Sequence, residues 1–484
     1  MAPKNLLIIM SDQHSRTCLG CYGDPIVKTP NLDKFAERGT RFDACWTPSP
    51  VCIPARAAFA TGKYIHQIGF WDNADPYDGS VPSWHHRLRE RGHRVVSIGK
   101  LHFRSDEDDS GFSESIIPMQ VIEGKGDLLG LIRDDLPVRG AAYKMARMAG
   151  PGESPYTQYD REIASRAQIW LREGAPKCTG KPWVLFVSFV CPHYPLTAPP
   201  EHFYRYFDDP KLPMPLFYEE DERPKHPFVR DYAASFNFDD YFETSGDVRR
   251  AVAGYFGLCS FMDEQAGKVL GALAAAGLTA KTRVIYTSDH GDALGKRGLW
   301  GKSTLYEEVC GAPMIVSGEG IPEGKSIDTP CNLIDTYPFI MECVGEPQLA
   351  QQDHSGFSLA RLALGERPER TVLSEYHGMG STAGAFAIRA GNYKYIHYVK
   401  YPPQLFDLAR DPHEATDLAS DPGYAGALQE CEARLRALLS PEEIDARAKK
   451  RQAEQLARYG GREAVIARGD LGFSPPPGIR PEFH

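Results

Sequence analysis

Four short apolar runs, each followed by a polar cluster, constrain this chain more than any other feature. Leu6 to Met10, Arg94 to Ile98, Trp183 to Val190 and Arg283 to Thr287 are β-rich and read as buried parallel strands. Amphipathic segments at Asn31 to Arg38, Arg161 to Leu171 and Asp263 to Ala275 lie between them. This alternation predicts an α/β fold, a mostly parallel central sheet flanked by helices. Such sheets place ligands at the carboxyl ends of their strands. There the sequence carries Ser11-Asp12-Gln13-His14, Gly99-Lys100-Leu101-His102, Cys191-Pro192-His193 and Ser288-Asp289-His290-Gly291-Asp292. A lone Asp, His or Lys after a strand is usually a cap, turn or surface residue. Carboxylates, imidazoles and an ammonium at four strand ends point instead to a site.

A second signal is Pro50-Val51-Cys52-Ile53-Pro54-Ala55-Arg56, followed by an Ala-rich run and Gly62. Pro54 suits a first helical turn and Gly62 can end the helix, so Cys52 falls near the helix N-terminus. Free amides and the positive dipole end favour an anion there, and Arg56 lies one turn on, on the same side. Taken alone, Cys52 would be a buried structural cysteine. Partners elsewhere overturn that reading. Asp12, Asp289 and His290, with Gln13 adjacent, offer oxygen donors and one imidazole, which suits one divalent metal ion: manganese or calcium first, zinc or magnesium as alternatives. Lys302, after the loop Leu299-Trp300-Gly301, would add a cation at the cleft edge.

At 484 residues the chain exceeds one ordinary core, and its character changes near Thr371. We expect a catalytic domain over 1–370 and a small α+β domain over 371–484. In the latter, Thr371 to Tyr376, Phe386 to Arg389 and Tyr393 to Tyr398 read as short antiparallel strands, followed by a helix from Ala425 to Leu439 and an extended tail. The aromatic stretch from Leu212 to Tyr255 reads as a loop insertion over the cleft, one that would favour an aryl or otherwise apolar leaving group. The tail from Phe473 to His484 is proline-rich but keeps Phe473, Ile479 and Phe483, so we expect it to lie along a neighbouring subunit in a homo-oligomer, a dimer or tetramer. A net charge of −9 argues against a nucleic-acid partner. The apolar run at the N-terminus is too short for a membrane span or signal core, and the cysteines form no disulfide framework. Cys18 and Cys21 have CxxC spacing without a second pair. These features predict a cytoplasmic protein with no membrane partner.

Taken together, the motifs resemble those of the type I sulfatases of the alkaline phosphatase superfamily, over nearly the whole chain. Cys52-Ile53-Pro54-Ala55-Arg56 resembles the motif whose cysteine is oxidised to formylglycine, with Thr61-Gly62-Lys63 as its continuation and Ala55 where Ser is commoner. The resemblance implies an alkaline phosphatase-like sheet with a smaller C-terminal α+β domain. It also implies metal ligation by Asp12, Gln13, Asp289, His290 and the modified Cys52, with His290 where many members have Asn. Arg56 and Lys63 match the positions that hold the formylglycine. Lys100 and His102 match a Gly-Lys-x-His motif, His193 a later histidine, and Lys302 the lysine after the metal-binding loop.

The implied reaction is hydrolysis of a small anionic sulfate monoester through a covalent sulfo-enzyme. Lys100, His193 and Lys302 would neutralise the transferring group, His193 and Lys302 protonate the leaving oxygen, and His102 take a proton from the remaining hydroxyl. A formylglycine-generating maturation enzyme is an implied partner. Gln13, Asn73 and His290 also resemble phosphonate monoester hydrolases and related phosphodiesterases, in which Asn73 would bind substrate. Those enzymes usually lack the Lys and His present here as Lys100 and His102. Choline sulfatases share much of the N-terminal pattern. A non-catalytic binding protein would have lost Cys52, Arg56 or a metal carboxylate, and all are retained.

Overall fold

The computed structural model describes residues 2–351 and 353–484. In chain order its central sheet contains β1 (Asn5–Asp12), β2 (Gly39–Phe42), β3 (Val95–Lys100), β4 (Glu114–Met119), β5 (Val184–Pro192), β6 (Thr282–Ser288), β7 (Met314–Ser317) and β8 (Lys325–Ile327). Their spatial order is β8-β2-β7-β6-β1-β5-β3-β4. Only β7 runs against its neighbours, so the four strands read from the sequence lie side by side and parallel at the centre. Leu6 pairs with Val184 and Arg283, and Val95 with Val184.

Why these runs show no polar alternation follows from burial on both faces. Leu7, Ile9, Leu185 and Val187 join one core cluster, while Leu6, Ile8, Met10, Val184 and Phe186 join another. Helices cover both faces, which leaves no polar side for the central strands to show. On the first face lie α3 (Pro155–Ile169) and α5 (Ser245–Ala275), a helix of 31 residues, both built into the first cluster. On the second lies α2 (Cys52–Thr61), whose Ala57, Phe59 and Ala60 pack into the second cluster. The helix α1 (Pro30–Glu37) begins with a proline in its first turn and packs against α5.

The aromatic stretch is a correction to the sequence reading. It contains α4 (Pro227–Phe236) and runs into the capped start of α5 at Thr244. Phe228, Tyr232 and Phe236 recur every four residues and are buried, which is one face of a helix. Acidic residues around them masked that period.

Beyond residue 370, β9 (Thr371–Tyr376), β10 (Ala385–Ala390), β11 (Tyr393–Tyr398) and β12 (Gln404–Asp407) form an antiparallel sheet in sequence order. Three helices follow: α6 (Ala425–Leu438), α7 (Pro441–Arg458) and α8 (Gly461–Arg468). The last two were not read from sequence. The buried ammonium of Lys394 on β11 bonds Glu414 at 2.7 Å and Glu307, just ahead of β7, at 3.2 Å, tying this sheet to the larger domain. Among the described residues no helix is long and apolar enough to cross a membrane.

Candidate active site

The parallel strands deliver their polar ends to one edge, and α2 points its N-terminus at the same place. Asp12 closes β1, Lys100 closes β3, His193 follows β5, and Asp289 and His290 follow β6. Cys52 is the first residue of α2 and fully buried. The ring nitrogen of His290 lies 3.2 Å from the Cys52 sulfur, and the sulfur lies 3.7 Å from Asp12 Oδ1. One ligand atom each from Asp12, Cys52, Asp289 and His290 fall within 4.8 Å of one another.

These donors fit a divalent cation. His290 Nδ1 lies 2.9 Å from the Gly291 carbonyl, an obligate acceptor, so Nδ1 carries the proton and Nε2 offers its lone pair to the cluster. Gln13 adopts φ 64° and its backbone N–H donates to Asp289 Oδ1 at 3.0 Å. Its side-chain amide donates to Asp292, while its carbonyl oxygen Oε1 is buried with no hydrogen-bond partner. A buried amide oxygen without a donor is costly, and a cation would satisfy it.

Cations organise the rest of the floor. Arg56 Nε donates to Asp289 at 2.8 Å, its Nη2 to Asp12 at 3.0 Å and its Nη1 to Ser188 at 2.9 Å. Lys100 Nζ lies 2.6 Å from Asp12. Burial pushes the Asp12 carboxyl up, but Lys100, then His193, Arg56 and Lys302, hold it well below the usual carboxylate range. Lys302 Nζ donates to the Cys52 sulfur at 2.7 Å and to His193 Nε2 at 2.9 Å. His193 Nδ1 lies 2.7 Å from the Tyr194 carbonyl and so carries the ring proton. Burial and then Lys302 hold His193 well below the ordinary imidazole value, whereas Lys302 is pushed above the ordinary lysine value, Cys52 and Tyr194 outweighing its burial. Lys302 is therefore the proton carrier of the pair. For the Cys52 thiol, burial and Asp12 oppose ionisation, but Lys302, Lys100 and His290 outweigh them and lower its pKa.

His102 sits just past β3 at φ 60°, with its backbone N–H bonded to Met119. Its Nε2 lies 2.9 Å from the Ser474 hydroxyl. Burial, then Lys100, hold its pKa well below the usual imidazole value, so its ring is neutral at neutral pH and able to accept a proton. Asn73 reaches the same pocket, and its side-chain oxygen accepts from the Ile53 N–H at 3.1 Å, satisfying an otherwise unpaired amide at the start of α2.

Eleven of the twelve residues singled out from the sequence thus lie in or at the edge of this centre, and Lys63 does not. Its ammonium bonds Asp353 at 2.5 Å near the surface. The ten residues of α2 put Cys52 and Lys63 at opposite ends of a helix roughly 15 Å long. Sequence reasoning missed Asp292, Ser188, Tyr194 and the wall above the floor. Asp292 stood in the quoted Ser288–Asp292 run, as a third carboxylate three residues past Asp289. The wall comprises Met145, Phe236, Met379 and Phe473, with Asp127, Arg139 and Asp470 beside them. No local motif marks these residues. Arg139 bonds Asp470 at 2.6 Å and Asp127 at 3.0 Å, and its Nη1 is buried without a hydrogen-bond partner.

The sulfatase family model matches residues 4–346, and a model described as the C-terminal part of N-sulphoglucosamine sulphohydrolase matches residues 295–440. A choline-sulfatase of Rhizobium meliloti (strain 1021) is 32% identical over 431 residues, covering 86% of this chain and 83% of the relative. Arylsulfatase K of Bos taurus is 28% identical over 487 residues, covering 94% and 85%. Among solved structures, the phosphonate monoester hydrolase of Agrobacterium radiobacter shares the fold at a TM-score of 0.71 and 22% identity, covering 90% of this chain and 95% of that one. A 2-O GAG sulfatase does so at 0.69 and 21%, covering 97% of each. With the whole strand-end centre inside the matched region apart from the tail contact to His102, the chain belongs to the sulfatase family and is a sulfuric ester hydrolase.

Proposed function

We propose that the chain hydrolyses sulfate monoesters with a formylglycine formed from Cys52, assisted by one divalent metal held by Asp12, Gln13, Asp289, His290 and residue 52. The observation that carries this reading is the convergence at Cys52: two buried carboxylates, an imidazole lone pair and the Lys302 ammonium all meet its sulfur or one another at the start of α2. Here the sulfur occupies the place that the oxygens of the hydrated aldehyde would take. The metal, manganese or calcium first, would supply Lewis acidity toward the ester and the nucleophile.

The chain's own residues divide the remaining work. Lys100 and Lys302 bring positive charge to where sulfate oxygens gain negative charge, and Arg56 holds both carboxylates in place. Lys302, with His193 as its acceptor partner, delivers a proton to the leaving oxygen. His102, neutral and buried, removes the proton from the second hydroxyl at residue 52, which releases sulfate and restores the aldehyde. On the wall, Met145, Phe236, Met379 and Phe473 favour an apolar or aryl alcohol portion, and the unpaired Arg139 Nη1 offers it one donor. We place this activity in the cytoplasm, where a formylglycine-generating enzyme would mature Cys52, and we expect a homo-oligomer.

A second reading is phosphonate monoester or phosphodiester hydrolysis on the same nucleophile, favoured by Gln13, Asn73 and His290. Lys100 and His102 support sulfate, since the phosphonate monoester hydrolases that the motifs also resemble usually lack both. The matured enzyme should turn over an aryl sulfate with a kcat/KM about tenfold or more above that for the matched aryl phosphonate monoester. The reverse ranking would make the second reading correct.

A further inference from the structure

Phe473 and Ser474, which open the tail expected from the sequence to lie along a neighbouring subunit, instead reach the catalytic centre of their own chain. After α8, the backbone of Asp470 pairs with that of His484, donating to its carbonyl at 2.7 Å and accepting from its N–H at 3.0 Å. The Asp470 carboxylate is held by buried Arg139. Gly472 passes so close to the Lys144 side chain that a Cβ there would lie 2.6 Å from its nitrogen. Phe473 then lies under that ammonium, 4.5 Å from its ring centre, and meets Tyr156 edge-on at 5.3 Å. Tyr156 donates its hydroxyl to the Ser474 carbonyl at 2.5 Å. These contacts deliver the Ser474 hydroxyl to His102 Nε2 at 2.9 Å, while His102 Nδ1 is buried with no hydrogen-bond partner.

We propose that Ser474 is a positioning residue for His102, and that Asp470–Ser474 is a built part of the catalytic pocket, docked in cis. Among the described residues, Ser474 is the hydrogen-bond partner that His102's ring has. An imidazole held by one hydroxyl keeps a set orientation. A hydroxyl can accept from Nε2–H or donate to bare Nε2, so it follows the ring through a proton transfer without losing the bond. Arg139, Lys144 and Tyr156 fix the Ser474 backbone, which turns a loose terminus into a rigid support.

The inference rests on the proposed role of His102. In that step His102 takes a proton from the remaining hydroxyl on residue 52, the C=O bond forms, and the bond from that carbon to the sulfate oxygen breaks. Sulfate leaves with the electron pair, and water later rehydrates the aldehyde. No other reactant is needed. Losing the support should slow this second half while leaving ester binding and alcohol release in place.

The test compares full-length matured wild type, Ser474→Ala and Ser474→Thr on one aryl sulfate. Ser474→Ala should lower kcat roughly tenfold or more with KM falling in parallel, so that kcat/KM stays within about threefold of wild type, and show a burst of phenol release followed by slow turnover. Acid-quenched samples of this variant should contain more of the tryptic peptide Phe42–Arg56 carrying an added SO3 group than wild type does. Its melting temperature should match wild type, and Ser474→Thr should restore kcat to within about threefold. Wild-type kcat in Ser474→Ala would overturn the proposal. So would a loss that comes with a lowered melting temperature and no rescue by threonine, since that marks a merely structural contact. Failure of the underlying mechanism reads differently, as activity that survives Cys52→Ala.

Discussion

The floor of the pocket comes from strand ends and one helix start, whereas its wall comes from five stretches scattered between Asp127 and Phe473. The floor is charged and buried, and its atoms meet at hydrogen-bond distances: Arg56 spans Asp12 and Asp289, and Lys302 spans Cys52 and His193. The wall is mostly thioether and aromatic, with a single buried ionic group around Arg139. A floor of that kind is tuned to the ester group, whose charge is the same in every substrate. A wall of the other kind meets only the alcohol portion. On the proposed mechanism, chemistry and selectivity therefore sit on different parts of the chain, with Ser474 as the point where the tail supports the floor through His102, and substitutions should separate them.

The largest expected effect is on the floor. Cys52→Ala should melt near the wild-type temperature yet lose about a thousandfold or more in kcat, because the covalent route is removed while the binding groups stay. More than a few per cent of residual activity would break the division just drawn. Next comes the cation. Exhaustive chelation should lower activity by about a hundredfold or more and depress the melting temperature, and manganese or calcium should restore both. Stability that does not respond to chelator and metal would remove the cation from the floor.

How legible each part is follows from the same difference. The floor was readable because every strand end carries its chemistry within a few residues of an apolar run, as in Asp12-Gln13 or Asp289-His290. Lys63 was misread for the converse reason: proximity in the motif hides that a ten-residue helix carries it away from Cys52. Phe236 lay in a stretch taken for a loop, although the four-residue spacing of Phe228, Tyr232 and Phe236 marks a buried helix face. The helices α7 and α8 went unread because both are rich in charge and bury few apolar residues. Ser474 could not be found at all. A serine in a proline-rich tail has no local signal, and its meaning arises only once the tail crosses Lys144 and Tyr156.

The smallest expected effect belongs to the wall. Phe236→Leu should raise KM for a bulky aryl sulfate about threefold, leave kcat within about twofold, and hardly change turnover of a small alkyl sulfate. A matching loss in kcat for both substrates would show that the wall also acts in the chemistry, and the comparison would fail from that side.

The central claim is that Cys52 works as an aldehyde. Trypsin should release it within Phe42–Arg56, which also contains Cys45, so the unmodified peptide has two thiols to alkylate. In active enzyme this peptide should take up one alkyl group, not two, and show the mass of an aldehyde in place of the second thiol, with specific activity rising in proportion to that fraction. A fully active enzyme whose peptide takes up two alkyl groups would contradict the account.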